Sequence, residues 1–339
     1  MAYGTINADL MTTSDGVSSS GLYGFKNRII NGAMTLNQRG ASNTSNGYAL
    51  DRWVITAIAG SKMAVSQSSD APTGFSNSML ITSSAATTIA SGDYYDIGQR
   101  IEGFNTSDLS FGTANAKTVT ISFWVKSSLT GTFGGSLQNS AQNRSYPFTF
   151  TISSSNTWEY ETVTITGDTS GTWIGATNGT GMQVLFGLGL GSTYTGTAGA
   201  WTAGYIFPTG AVNLLATNAA TLQITGVQLE KGSTATSFDY RPFGTELQLC
   251  QRYYSTVYVA TDSAGNGFAA QGVTFPATMR VQPSWTIISN NVTSNISSVQ
   301  FNIGSFPAGQ PTTGSTIQWV TGSTARAYMF ANYSLSAEL

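Results

Sequence analysis

Apolar and polar residues alternate in three stretches of this chain. Within residues 118–126, Val119, Ile121, Phe123 and Val125 take one parity, while Thr118, Thr120, Ser122, Trp124 and Lys126 take the other. Tyr146, Phe148, Phe150 and Ile152 repeat the pattern, as do Met182, Val184, Phe186, Leu188 and Leu190. A period of two places one face of a strand in a core and the other toward solvent. In residues 222–230 the phase slips: Leu222 and Ile224 share a parity that Val227 and Leu229 do not. The slip falls at Gly226, where an extra residue costs least, so a β-bulge is predicted there. Many short strands punctuated by Gly, Asn and Asp-Gly breakers predict a two-sheet sandwich running from Asn27 to about Phe243.

One helical period follows. Thr245 and Gln248 have capping-box spacing, and Leu247, Cys250 and Tyr254 fall at i, i+3 and i+7 as one apolar stripe. Arg241-Pro242-Phe243-Gly244 reads as a turn, which sets a domain seam near Gly244. Beyond it, strands are expected at 257–260, 268–275, 284–289, 316–320 and 326–335, enough for a second, small sandwich. Residues 1–27 are polar and broken by Thr12-Thr13-Ser14-Asp15-Gly16 and Ser18-Ser19-Ser20-Gly21. Such a segment cannot bury a core by itself; it is a frayed terminus by default, or it orders on a partner. No short repeat supports a fibrous shaft. The expected architecture is all-β: an extended segment over 1–27, a sandwich over 28–243, and a short helix plus a second sandwich over 244–339.

Composition narrows the chemistry. The 339 residues contain no histidine and one cysteine, and only 9% are charged, against 40% hydrophobic and 12% aromatic. Soluble proteins usually carry about 25% charged residues. Without histidine the chain lacks the side chain that titrates near neutrality and most often shuttles protons. One thiol cannot build a cysteine-rich metal site, and Cys250, on the apolar stripe, is expected to be packed and inert. A net charge of −2 offers no basic stripe for nucleic acid. No apolar run approaches the ~20 residues that cross a membrane, and the N-terminus has no apolar signal region. Binding or building is expected, with no cofactor and no metal.

Paired carboxylates could still hydrolyse a glycan without histidine, at separations of ~5–5.5 Å or ~6.5–9.5 Å. Glu159 and Glu161 share a strand face, and Asp93 and Asp96 flank Tyr94-Tyr95. Ordinary solvated or capping roles are favoured for both pairs, and for the 93–96 loop as an oxygen site for calcium. The glycine-rich runs at 131–135 and 187–191 lead into no helix and carry no lysine, so they are turns or strand glycines. Aromatic rings are the more serious lead, because sugars stack on exposed rings beside amide and carboxylate groups. Trp173, Tyr194, Trp201 and Tyr205 sit in Gly/Thr-rich stretches without strand alternation and are candidate glycan-binding rings. The competing reading, in which they plug sandwich ends or a subunit interface, carries the greater weight. Trp124, on the polar parity of its strand, is either a binding ring or a ring covered by a neighbouring subunit. Exposed strand edges would be covered by symmetric assembly.

Three groups of residues carry a resemblance. Asn27-Arg28-Ile29-Ile30-Asn31-Gly32-Ala33-Met34, Gln38-Arg39-Gly40 and Asp51-Arg52-Trp53 form the first group. Residues 226–238 (Gly226-Val227-Gln228-Leu229-Glu230-Lys231-Gly232 and onward to Phe238) form the central block, followed by Glu246-Leu247-Gln248-Leu249-Cys250-Gln251-Arg252-Tyr253-Tyr254. Phe275-Pro276, Met279-Arg280, Pro283 and Ala337-Glu338-Leu339 form the last group. Together they resemble a family of tailed-phage virion proteins, usually labelled tail fibre or structural protein. The resemblance implies a jelly-roll main domain similar to carbohydrate-binding modules, and a homotrimeric, non-enzymatic virion component. It further implies a tail fibre or appendage that contributes to host attachment, with host surface polysaccharide as a partner. Residues 1–27 would anchor it to a tail adaptor, nozzle or capsid protein, with Tyr3, Ile6, Leu10 and Met11 as anchor candidates. A capsid decoration protein or head fibre without receptor is the alternative, and a glycan depolymerase the third.

Overall fold

Alternation in the sequence becomes two facing sheets. The computed structural model describes residues 25–40, 42–263, 267–292, 296–302, 312–321 and 327–339, so the anchor candidates Tyr3, Ile6, Leu10 and Met11 lie outside the described residues. One compact unit holds residues 53–241 with 42–49 and 25–35; a second holds residues 242–339 with Leu36–Gly40 and Leu50–Arg52.

The first unit is a jelly-roll sandwich. Its larger sheet orders β1 (Gly47–Leu50), β2 (Trp53–Ala57), β5 (Tyr94–Glu102), β10 (Thr180–Leu190), β7 (Gly131–Asn139), β8 (Arg144–Ile152) and β12 (Thr202–Ala203). The smaller sheet orders β3 (Met63–Ser68), β4 (Ser78–Ser83), β14 (Thr221–Lys231), β6 (Val119–Ser127) and β9 (Glu159–Ile165). Two-residue strands β11 (Thr195–Gly196) and β13 (Phe207–Pro208) pair in parallel. The three alternating stretches supply the core between the sheets. Phe123 of β6 meets Phe150 of β8 and Phe186 of β10 edge-on, each at 5.1 Å between ring centroids. Each such ring contributes about 1.5–3 kcal/mol by burial, and its edge-to-face partners add ~0.5–1.5 kcal/mol.

The phase slip is a bulge. The register of β14 against β6 shifts between Thr225 and Gln228, and Gly226 has φ +62°. A Cβ there would lie 2.7 Å from the Phe75 ring and 3.2 Å from Trp124. Both the backbone and the neighbouring rings therefore favour glycine at this point.

In the second unit, β15 (Tyr254–Ser263), β20 (Ala327–Ser336) and β17 (Ser284–Val292) form one sheet in the order β15-β20-β17. The other sheet comprises β16 (Gly267–Met279), β19 (Thr312–Thr321) and β18 (Ile296–Asn302), in the order β16-β19-β18. Phe275, Met279, Leu335 and Ala337 are its buried core, with Trp285 and Val257 against them. Helix α1 (Phe243–Gln251) begins two residues before Thr245, at Phe243, and Tyr254 opens β15 instead of ending the helix. The capping box does not form. Pro242 occupies the cap position with φ −53°, and its carbonyl accepts the Thr245 amide at 2.9 Å, so Thr245 already lies inside the first turn. Cys250 is buried, and burial pushes its thiol well above the ordinary range.

The stretches Leu36–Gly40 and Leu50–Arg52 complete this unit around Glu338. Arg52, buried and at φ +70°, pairs with the Glu338 carboxylate and lies 3.6 Å over the Tyr253 ring. Arg39 reaches Glu338 Oε1 at 2.7 Å and lies 3.7 Å over Tyr254. Arg280 donates to the Ala337 and Glu338 carbonyls at 2.7 and 2.6 Å. Removing one partner of such a buried cluster costs about 3–5 kcal/mol, because the remaining charges lose their compensation.

Candidate functional site

The solvent face of the five-stranded sheet carries a groove built on the bulge. Trp124 pairs in register with Tyr160 of β9 and with Thr225 of β14, which puts both rings on the side facing away from the core. Their centroids are 5.3 Å apart at an interplanar angle of 49°. A second wall comes from two loops. Phe75 meets Phe238 at 5.1 Å and Tyr240 at 5.5 Å, and the Tyr240 hydroxyl donates to the Gly74 carbonyl at 2.9 Å. Gly226 lies between the walls, where its missing side chain leaves room for Phe75 and Trp124. The groove encloses about 420 Å³. Tyr160 is 45% and Tyr240 59% exposed, so two rings stand open to solvent.

Charges at its ends are balanced. Glu230 accepts from the Thr236 amide at 2.8 Å, the Thr236 hydroxyl at 2.7 Å and Gln228 Nε2 at 2.8 Å, while Lys26 donates to the Thr236 hydroxyl oxygen. At the other end Lys126 pairs with Asp70, whose carboxylate also accepts Trp158 Nε1–H at 3.3 Å. The Lys126 hydrogen bond holds the Asp70 carboxyl below the usual carboxylate range. The site offers ring faces flanked by hydroxyls.

The solvent side of the seven-stranded sheet is built differently. Beyond edge strand β12, residues 204–208 lie across it as a strap. The Ser136 hydroxyl donates to the Ile206 carbonyl at 2.7 Å, the Ser145 hydroxyl donates to the Gly204 carbonyl, and the Tyr205 hydroxyl donates to Asp96. Gly134 sits under this strap; a Cβ there would lie 2.2 Å from Pro208. Asp96 is fully buried, its Oδ1 has no partner, and burial raises its carboxyl to about 7 against the opposing Tyr205 hydrogen bond. Burial, then the neighbouring Asp96 charge, pushes the Tyr205 phenol up in turn.

Of the rings singled out in the sequence, Tyr194 and Tyr205 pack edge-on with Tyr94 at 5.3 and 6.2 Å. Trp173 and Trp201 pack edge-on with each other at 5.4 Å and with Phe111 at 4.9 and 5.9 Å. Their indole N–H groups are satisfied: Trp201 donates to the Thr166 carbonyl at 2.7 Å, and Trp173 to the Ser170 carbonyl at 3.1 Å. All four are half-buried. Beside them Arg144 grips Asp168 through two bonds of 2.7 Å, which raises the guanidinium further.

Three of the four carboxylates in the two pairs are engaged locally. Glu159 accepts the Ser153 amide at 3.0 Å and the Ser154 amide at 2.7 Å. Glu161 stands opposite Phe123, where burial, then the Glu159 charge, raises its carboxyl. Asp93 caps its turn by accepting the Ala90 amide at 2.9 Å, while its companion Asp96 lies beneath the strap. Trp124 and Gly226 were visible in the sequence as a ring on a polar parity and a slip in phase. Phe75, Tyr160 and Tyr240 carried no such signal, since their partnership depends on loops far apart in the chain.

No protein-family model matches the chain, and no curated protein matches it. Among solved structures, 61% of the chain is similar to the enzymatically active domain of bacteriophage CBA120 tailspike protein 4, at 13% identity and a TM-score of 0.33. It spans 21% of that tailspike chain, about one fifth. A putative sugar-binding protein from Bacteroides thetaiotaomicron is similar over 61% of this chain and 100% of its own, at 14% identity and a TM-score of 0.38. The family 11 carbohydrate-binding module of a Clostridium thermocellum cellulosomal cellulase is similar over 57% of this chain and 97% of its own, at 10% identity and a TM-score of 0.29. Each is a similarity of fold.

Proposed function

We propose that this chain binds glycan through the Trp124–Tyr160–Tyr240 groove, and that it does so as an attachment component of a tailed-phage virion, without catalysis. The observation that carries the reading is the convergence of five aromatic rings, from separate parts of the chain, on one open groove. Rings presented to solvent beside hydroxyl groups suit the apolar faces and hydroxyls of sugars. Scattered exposed rings are commonplace; an ordered group with two open members is not.

Support for the virion assignment is the resemblance in sequence. Several of its short stretches, among them Arg39, Arg52, Arg280 and Glu338, meet in one buried cluster of the second unit. The reading includes assembly as a homotrimer, with residues 1–27 joining a tail adaptor, nozzle or capsid protein. Affinity electrophoresis of the purified chain through gels containing host surface polysaccharide tests the binding. Retardation is expected for the native chain and not for Trp124→Ala. Unchanged polysaccharide length after prolonged incubation is expected; shortening would make the protein a depolymerase. Antibody labelling of intact virions is expected to mark the tail, and labelling of the head would assign it to the capsid.

A further inference from the structure

From the chemistry of the groove, we infer that its ligand is an uncharged glycan presented as a single soluble chain, and not an anionic polysaccharide or a crystalline glycan face. This rests on the glycan reading of the same groove.

The first argument is charge. None of the residues lining the groove carries a charge; its polar groups are the hydroxyls of Ser122, Thr73, Thr236 and Ser237 and the phenols of Tyr160 and Tyr240. Charged side chains around it are committed, Asp239 among them, which accepts the Asn27 amide at 3.2 Å. Lys126 is paired with Asp70, and Lys26 and Glu230 meet at the Thr236 hydroxyl. A uronate or sulfate entering the groove would lose hydration and gain no cation, and burying an uncompensated anion is costly. Hydroxyl groups of a neutral sugar lose little, because the exposed hydroxyls of Thr73, Ser237 and Tyr160 both donate and accept.

The second argument is shape. A crystalline polysaccharide needs coplanar rings. Here Trp124 and Tyr160 are inclined by 49°, Phe75 and Tyr240 by 35°, and Phe238 stands at 72° and 73° to its two neighbours. Two inclined walls around about 420 Å³ suit a short length of one chain entering between them.

The test is affinity electrophoresis and pull-down of the full chain against a fixed panel. Xylan, mannan, mixed-linkage β-glucan, galactan and starch are the neutral soluble members. Polygalacturonate, alginate, hyaluronan and carboxymethyl β-glucan are the anionic ones, and microcrystalline cellulose and chitin are the insoluble ones. Each is scored by the ratio of native to Trp124→Ala binding, with circular dichroism confirming the fold and Tyr160→Ala as a second variant. Every polymer whose binding falls tenfold or more in both variants is expected to be neutral and soluble. Ser122→Lys, which places an ammonium in the groove, is expected to gain carboxymethyl β-glucan binding at low salt. Variant-sensitive binding of an anionic or crystalline member, as strong as of any neutral one, would overturn this inference and leave the glycan reading standing. Absence of any variant-sensitive polymer would overturn both.

Discussion

The two solvent faces of the jelly roll begin from the same materials and end differently. Each has aromatic rings and serines on the parity that points away from the core. On the seven-stranded sheet a strap covers them: Ser136, Ser145 and Asp96 are fully buried, and each is bonded to residues 204–206. On the five-stranded sheet the loops carrying Phe75 and Tyr240 form only one wall, and Tyr160 and Tyr240 stay open. Half-buried rings with satisfied N–H groups stabilise a fold; rings that stand open to solvent around a groove are available to a ligand. The difference lies in where the chain crosses the sheet, and not in residue type.

Substitutions can break or sharpen this contrast. The largest expected effect is on the covered face. Asp96 has its carboxyl raised to about 7 by burial, so the folded state holds a proton that the unfolded chain releases near pH 4. Its stabilising contribution is complete below about pH 4, declines as pH rises toward 7, and is gone above. The full swing is on the order of 4 kcal/mol. Asp96→Asn is therefore expected to flatten the urea midpoint between pH 4.5 and 8; an unaltered pH dependence would mean the strap does not seal the carboxyl. Next, Trp201→Ala should cost about 3 kcal/mol of stability through lost packing and the Thr166 hydrogen bond, while glycan affinity stays within about twofold. Thermal melts and calorimetric titration read the two quantities separately.

On the open face the order reverses. Trp124→Ala is expected to weaken binding by about 2 kcal/mol, roughly 30-fold, with a far smaller loss of stability than Trp201→Ala. Equal losses of affinity in the two tryptophan variants would erase the distinction between the faces. The smallest effect is at the bulge. Gly226→Ala should cost about 1 kcal/mol, because alanine is strained at φ +62° and its methyl presses on Phe75. A melting curve detects it, and a matched fall in affinity would follow from the narrowed groove.

Much of the sandwich was legible because period-two alternation is a local signal. Phe123, Phe150 and Phe186 lie in three separate alternating stretches and meet in the core, and the slip at Gly226 is the observed bulge. The helix start was misplaced for an equally local reason: Pro242 sets the first turn, and the Thr245–Gln248 spacing is then incidental. Two further features could not be read along the chain. Arg39 and Arg52 join a unit whose other residues begin two hundred positions later, at Pro242. The second wall of the groove likewise brings Phe75 to Tyr240 across 165 positions, and nothing in either neighbourhood marks the other. Loop rings such as Trp173 and Trp201 lie in surroundings that lack alternation, a pattern that exposed rings share with rings packed at the end of a sandwich.

A crystal structure of the chain soaked with the tightest-binding soluble oligosaccharide tests the account most directly. Sugar rings are expected between the Trp124–Tyr160 wall and the Phe75–Tyr240 wall, over Gly226. Sugar held against Trp173 and Trp201, or against Tyr94 and Tyr194, with the groove at Gly226 unfilled, would contradict it.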